Sequence, residues 1–204
     1  MPRVVVPIYF DYASTLCYIA WRIVRELEAE PEFTLLSTLW KGVPITARDS
    51  STRPGRTLGM RERNKVIAVA AETGIAVMPP DAWLDSGPAL QGAELAREAG
   101  CFAAYHEAVF RAAFEERLDI GEIEILAGLA SRAGIDPERF SDDIRSGRMA
   151  AKIAEHKQEA DRFSALGYPT FMLGDFPLIG IQPIETMRLL IGRFIAQRIA
   201  EPQA

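Results

Sequence analysis

Cysteine is scarce. The 204 residues hold two, Cys17 and Cys101, which excludes a disulfide-stapled scaffold. Histidine is equally scarce. His106 and His156 fall in different predicted helices with no matching ligand cluster. They read as surface or satisfied helix positions rather than metal ligands. No apolar run reaches the length of a membrane span. Net charge is −5, and Lys and Arg do not gather into the surface that nucleic acid requires. One local basic run, Arg48, Arg53, Arg56, Arg61, Arg63 and Lys65, reads as a solvated loop and helix face. Its alternative reading is an anion-binding rim. No internal repeat or low-complexity tract stands out. The first residues lead directly into a strand, without the basic, apolar and small-residue succession of a signal peptide. A soluble, cytoplasmic protein with reduced thiols is therefore expected, with neither nucleic acid nor membrane as partner.

What is abundant is apolar surface to bury. Hydrophobic residues make up 49% of the chain, ample for one domain or a domain with a large insertion. Val4–Phe10 is rich in β-branched residues and reads as a buried strand. A helix is predicted over residues 15–30, stopped near Pro31, and a second strand over 33–40. Residues 41–59 are rich in Pro, Gly, Ser, Thr and Arg and read as a long loop. Helices follow at 60–73, 90–99, 101–116, 121–133 and 149–166, with Asp136-Pro137-Glu138 starting another. A hairpin is predicted at 170–173 and 176–179, turning at Gly174-Asp175, and Pro183 opens a final helix over 184–200. The order is β-α-β, a helical block, then β-β-α.

The chemistry concentrates in residues 10–20, Phe-Asp-Tyr-Ala-Ser-Thr-Leu-Cys-Tyr-Ile-Ala. A strand enters this stretch and a helix leaves it, with Ser14 and Thr15 as good N-caps between. A helix N-terminus offers unpaired N–H groups and a partial positive charge, which stabilise an anion such as a thiolate. Ser14 and Cys17 lie at the cap and in the first turn. Ser14 reads as a cap. Cys17 reads as a small buried hydrophobe.

This stretch resembles the active-site segment of DsbA-family thioredoxin-fold proteins. Many members carry Cys-x-x-Cys followed by Tyr and an apolar residue. Here Ser14-Thr15-Leu16-Cys17-Tyr18-Ile19 has serine at the first position. The kappa-class glutathione transferases and 2-hydroxychromene-2-carboxylate isomerases are the branch known for that serine. Gly167-Tyr168-Pro169-Thr170-Phe171 is similar to the family's Gly-x-Pro-Thr-Phe, whose proline is cis. The resemblance covers nearly the whole chain, because residues 120–182 also follow the family's order of segments. It implies an α/β protein with a thioredoxin-like fold and a large helical insertion. Residues 1–59 and 167–204 would form the thioredoxin-like domain, and 60–166 the inserted helical subdomain.

The resemblance also implies roles. Ser14 would stabilise the thiolate of bound glutathione, acting as a hydrogen-bond donor and not as a covalent nucleophile. The Tyr168 backbone beside a cis Pro169 would receive an extended thiol peptide by strand addition, with Tyr168 and Thr170 lining the site. Gln182-Pro183 stands where isomerase-type relatives show Asp-Arg contacting glutathione, and it resembles the oxidoreductase-like branch instead. The implied activity is oxidoreductase- or isomerase-like, dependent on a small thiol, with an electrophile or disulfide as co-substrate. Two alternatives stand beside it: thiol–disulfide exchange through the single Cys17, and a degenerate module that binds without chemistry. Cys101 reads as structural. Trp40, Trp83 and Tyr12 read as aromatic core or as the lining of an apolar pocket. Relatives are often dimers, so a homodimer is among the expectations.

Overall fold

The computed structural model describes residues 3–45, 53–163 and 167–200. Arg48, part of the predicted 41–59 loop and the end of the predicted 149–166 helix lie outside them. Four strands form one sheet in the order β2-β1-β3-β4. They are β1 (Val4–Phe10), β2 (Leu36–Gly42), β3 (Thr170–Leu173) and β4 (Phe176–Ile179). β1 and β2 run parallel from Val4 opposite Leu36 to Phe10 opposite Gly42. β3 is antiparallel to β1, with Tyr9 opposite Thr170. The β3–β4 hairpin turns at Gly174, whose φ of 66° is the left-handed conformation that glycine adopts freely. β4 is an edge strand and contains Pro177.

β1 occupies the middle of the core. Ile8, Tyr9 and Phe10 are all buried. Successive residues of a strand point to opposite faces, so both faces of the sheet are covered. Helix α1 (Thr15–Glu28) covers part of it. Nine of its residues are buried, from Thr15 to Leu27, as expected for a helix packed on more than one side. Arg188 of the last helix, α8 (Ile184–Ala200), pairs with Glu30 through Nε at 2.9 Å and Nη2 at 2.5 Å.

The helical block comprises α2 (Met60–Thr73), α3 (Gly87–Glu98), α4 (Phe102–Phe114), α5 (Ile123–Arg132), α6 (Pro137–Arg145) and α7 (Ala150–Arg162). α6 starts as its sequence predicts: Asp136 accepts from the Arg139 N–H at 2.8 Å, with Pro137 at N1. α4 packs its aromatic face on α1. Trp21 stacks on Phe110 with centroids 5.9 Å apart and planes at 27°, and Tyr18 meets Phe114 at 5.5 Å. One continuous apolar core therefore runs from the sheet into the helices.

The second strand differs from its predicted span of 33–40. Residues Pro31–Phe33 form a single 3-10 turn, and the strand starts at Leu36. Pro31 fixes φ for a turn, and Phe33 buries its ring instead of extending the ladder. α1 ends at Glu28, short of the predicted 30, and α3 starts at Gly87 rather than 90.

Helix α3 meets α4 and α6 at Gly92. A Cβ there would lie 2.7 Å from Phe140 Cζ and would also strike the Tyr105 ring and hydroxyl. Both aromatic rings are fully buried, so neither can swing away. Gly92→Ala is expected to destabilise the fold by about 2 kcal/mol, the usual cost of overpacking. Gly128, whose Cβ would meet nothing within 4 Å, is the control: in urea unfolding Gly128→Ala should not lower the midpoint.

Candidate functional site

The site is built on the turn between β1 and α1. Ser14 is the N-cap, with extended φ −96° and ψ 113°, and its Oγ accepts from the Cys17 N–H at 3.3 Å. The Ser14 Oγ thereby satisfies one of the free N–H groups of the first turn. No acidic residue occupies the first turn, so nothing on α1 there neutralises the positive end of the helix. Ser14 is 8% exposed.

Asp11 holds this turn in shape. Its carboxylate accepts from the Ala13 N–H at 2.8 Å and, with its other oxygen, from the Ile45 N–H. The Ser14 N–H donates to the Asp11 carbonyl at 3.1 Å. One buried side chain thus ties the strand end, the cap and the segment after β2 together. Burial raises the Asp11 carboxyl above its ordinary value, against the pull of its two backbone donors. Sequence reading passed over Asp11. Asp two residues before Ala at a strand end is an Asx-turn pattern that could have signalled it, but the Ile45 contact could not be read.

Cys17 has no exposed surface. Burial pushes its thiol up to about 12, although Ser14 and the Asp11 N–H partly oppose the shift. A thiol so placed is almost entirely protonated at neutral pH and cannot be reached by a disulfide. Cys101 is half-buried, and both thiols are free. In the native protein Cys101 is expected to react readily with a disulfide reagent while Cys17 waits for unfolding. One thiol per chain should titrate natively and two in denaturant. A fast second equivalent in the native state would show Cys17 to be accessible.

The other predicted residues gather at the opposing loop. The Tyr168–Pro169 peptide bond is cis. Because Tyr9 pairs with Thr170, Pro169 falls at the end of β3 that faces the end of β1, where the Ser14 turn begins. The Pro169 carbonyl accepts from the Gly180 N–H at 2.7 Å. Thr170 is fully buried and its hydroxyl donates to the Gly167 carbonyl at 2.5 Å. Its hydroxyl thereby braces the loop that carries Pro169. Gln182 is half-buried. Behind this end of the sheet, Lys41 Nζ bonds both Glu159 carboxylate oxygens at 2.6 Å. Burial, with Glu159 nearby, pushes the Tyr9 phenol up.

Other expectations need correction. His106 and His156 are not on the surface; both are buried. His106 is only half satisfied: Nδ1 lies 2.8 Å from the Tyr12 hydroxyl, while Nε2 has no protein partner. Among the described residues no group of His, Cys, Asp or Glu could hold a metal, and no helix is long and apolar enough to cross a membrane. Trp40 and Trp83 line different cavities, and Tyr12 lines neither. In the basic run, Arg63 pairs with Asp81 at 2.8 Å and Arg56 with Glu62 at 3.8 Å. That use favours a solvated face over an anion-binding rim.

Three solved structures superpose on nearly all of the chain. A probable DsbA oxidoreductase from Streptomyces coelicolor does so with a TM-score of 0.76 at 22% identity, covering 98% of this chain and 92% of its own. A 2-hydroxychromene-2-carboxylate isomerase gives 0.77 at 19%, covering 98% and 100%. The cytosolic disulfide reductase DsbM from Pseudomonas aeruginosa, solved with GSH, gives 0.72 at 19%, covering 97% and 100%. At these identities the likeness is one of fold. The model of the DSBA-like thioredoxin domain matches residues 5–192. With its four-stranded sheet, helical insertion and α1 N-terminal site, the chain belongs to the DSBA-like thioredoxin domain family.

Proposed function

We propose that this protein is a glutathione-dependent enzyme of the isomerase or transferase kind, with Ser14 poising the thiolate. The observation that carries the reading is the pairing of a serine at the α1 cap with a buried second cysteine. The cap position supplies a hydroxyl donor and unpaired backbone N–H groups where an incoming sulfur would sit. Those interactions favour the thiolate over the thiol. A thiolate held there attacks a small electrophile. In transfer the new C–S bond stays, and either a leaving group departs with its electron pair or the anionic adduct takes a proton from water; in isomerisation the C–S bond breaks again after rearrangement and the thiolate is released. The Tyr168–Pro169 loop, with Gln182 beside it, would receive the glutathione backbone as an added strand. The neighbour solved with GSH supports this choice of thiol. Exchange through Cys17 is disfavoured, because its sulfur is enclosed. A cytoplasmic setting, rich in reduced glutathione, suits the same reading.

Calorimetric titration with reduced glutathione tests it. Wild type and Cys17→Ala should bind alike. Ser14→Ala should bind about tenfold more weakly near pH 8, because a hydrogen bond to a charged sulfur is lost. Absence of wild-type binding would sink the proposal.

A further inference from the structure

Helix α7 is attached to the sheet by charge rather than by apolar packing. Of its thirteen residues only His156 and Ala160 are buried. Glu159 receives Lys41 Nζ of β2 on both carboxylate oxygens, at 2.6 Å each. His156, one turn earlier, lies against the Gly42 carbonyl of the same strand. The Lys41 and Glu159 side chains are 16% and 34% exposed. A pair so withdrawn from water persists only where its contacts offset the desolvation. Burial raises the Glu159 carboxyl, yet Lys41 holds it below its ordinary value, so both groups stay charged.

The pair stands at one end of a row of side chains that crosses the sheet. Lys41 is opposite Tyr9, and Tyr9 is opposite Thr170. Residues directly opposite one another share a face of the sheet, so all three side chains lie on the α7 side. Lys41 Nζ is 6.0 Å from the centre of the Tyr9 ring. Burial first, and Glu159 second, raise the Tyr9 phenol, and Tyr168 acts on that same phenol. At the far end of the row, Thr170 donates to the Gly167 carbonyl across the Tyr168–Pro169 bond.

We infer that Lys41 and Glu159 are positioning residues for the thiol-receiving loop: by clamping α7 onto β2 and over Tyr9, the pair holds the row from Lys41 to Thr170, and with it the Tyr168–Pro169 backbone, in the orientation an added strand requires. The inference takes its ligand from the glutathione reading, but its mechanics stand apart from it. Neither residue acts on the sulfur. The Ser14 turn has its own support in Asp11, so the two halves of the site are held independently.

Amide exchange on the full chain, followed by NMR, tests this at two reporters. The Gly180 N–H bonds the Pro169 carbonyl and reports the loop; the Cys17 N–H bonds Ser14 and reports the turn. In Lys41→Met the Gly180 amide should exchange about tenfold faster, because one partner of a largely buried pair is gone. The Cys17 amide should stay within about twofold of wild type, which a general loss of stability would not allow. Glu159→Gln, close in shape, should show the same selectivity in smaller measure and serves if Lys41→Met does not fold. Lys152→Met, which removes an exposed pair with Glu155 on the same helix, should move neither amide. Unchanged Gly180 exchange, or equal acceleration of both amides, would overturn the inference. Glutathione titration separates it from the reading it draws on. Lys41→Met should bind about tenfold more weakly. Selective Gly180 acceleration in a protein whose wild type binds no glutathione would uphold the positioning role and overturn only the choice of ligand.

Discussion

Asp11→Ala is expected to cost about 3 kcal/mol of stability and to weaken glutathione binding together with it. The Asp11 carboxylate is the acceptor for the Ala13 and Ile45 N–H groups. Each buried donor that loses its partner costs about 1–3 kcal/mol. Removing the carboxyl also relieves the burial that raises its protonation, which keeps the net below the sum. Asp11→Asn separates the two bonds. Its amide oxygen can still serve Ala13, whereas its NH2 group would face the Ile45 N–H, donor against donor. Asn should therefore recover about half of the loss. Urea midpoints measure the stability and glutathione titration the site. An Asp11→Ala protein as stable as wild type would remove Asp11 from the turn's support.

The second large effect is acid destabilisation through His106. Burial, first, and Arg97, second, hold its imidazole well below the ordinary value of 6.5. Its contacts are Tyr12 on the hydrogen-bonded side and the rings of Phe10, Trp40, Phe102 and Phe110 around it. Below pH 6.5 the unfolded chain binds a proton there that the folded chain refuses. Stability is then lost as pH falls, with a slope from this one group that grows toward about 1.4 kcal/mol per pH unit below pH 5.5. Asp11 acts in the opposite sense, since its raised value means the folded state takes up a proton first. The clean measurement is a difference. Between pH 6.5 and 5.5, wild type should lose about 1 kcal/mol more than His106→Gln. Parallel pH profiles for the two proteins would show that His106 already titrates normally.

Most elements were legible because their boundaries are local. Gly74 closes α2, Gly174 turns the hairpin, and Pro183 precedes α8; all three sit where the sequence puts them. β2 was misplaced because Phe33, Leu35 and Ser37 alternate like a strand, while the burial of Phe33 beside Pro31 decided otherwise. Ser14 was readable as a cap from its neighbours alone. Asp11 and His106 were not, because their meaning lies in partners far along the chain: Ile45 for the first, and Tyr12, 94 residues away, for the second. Periodicity reports that a residue faces inward. It cannot report which polar group waits there.

Strand β4 bears on how these chains behave when crowded. It ends the sheet, and its outer edge is where another chain could add a strand of its own. Phe176 and Ile179 stand exposed on it, an apolar invitation to do so. Pro177 withholds one backbone donor, and the strand spans only four residues. A row so short and interrupted is a poor template for fibre growth. The hairpin that carries the Pro169 loop thus also guards the sheet against polymerising.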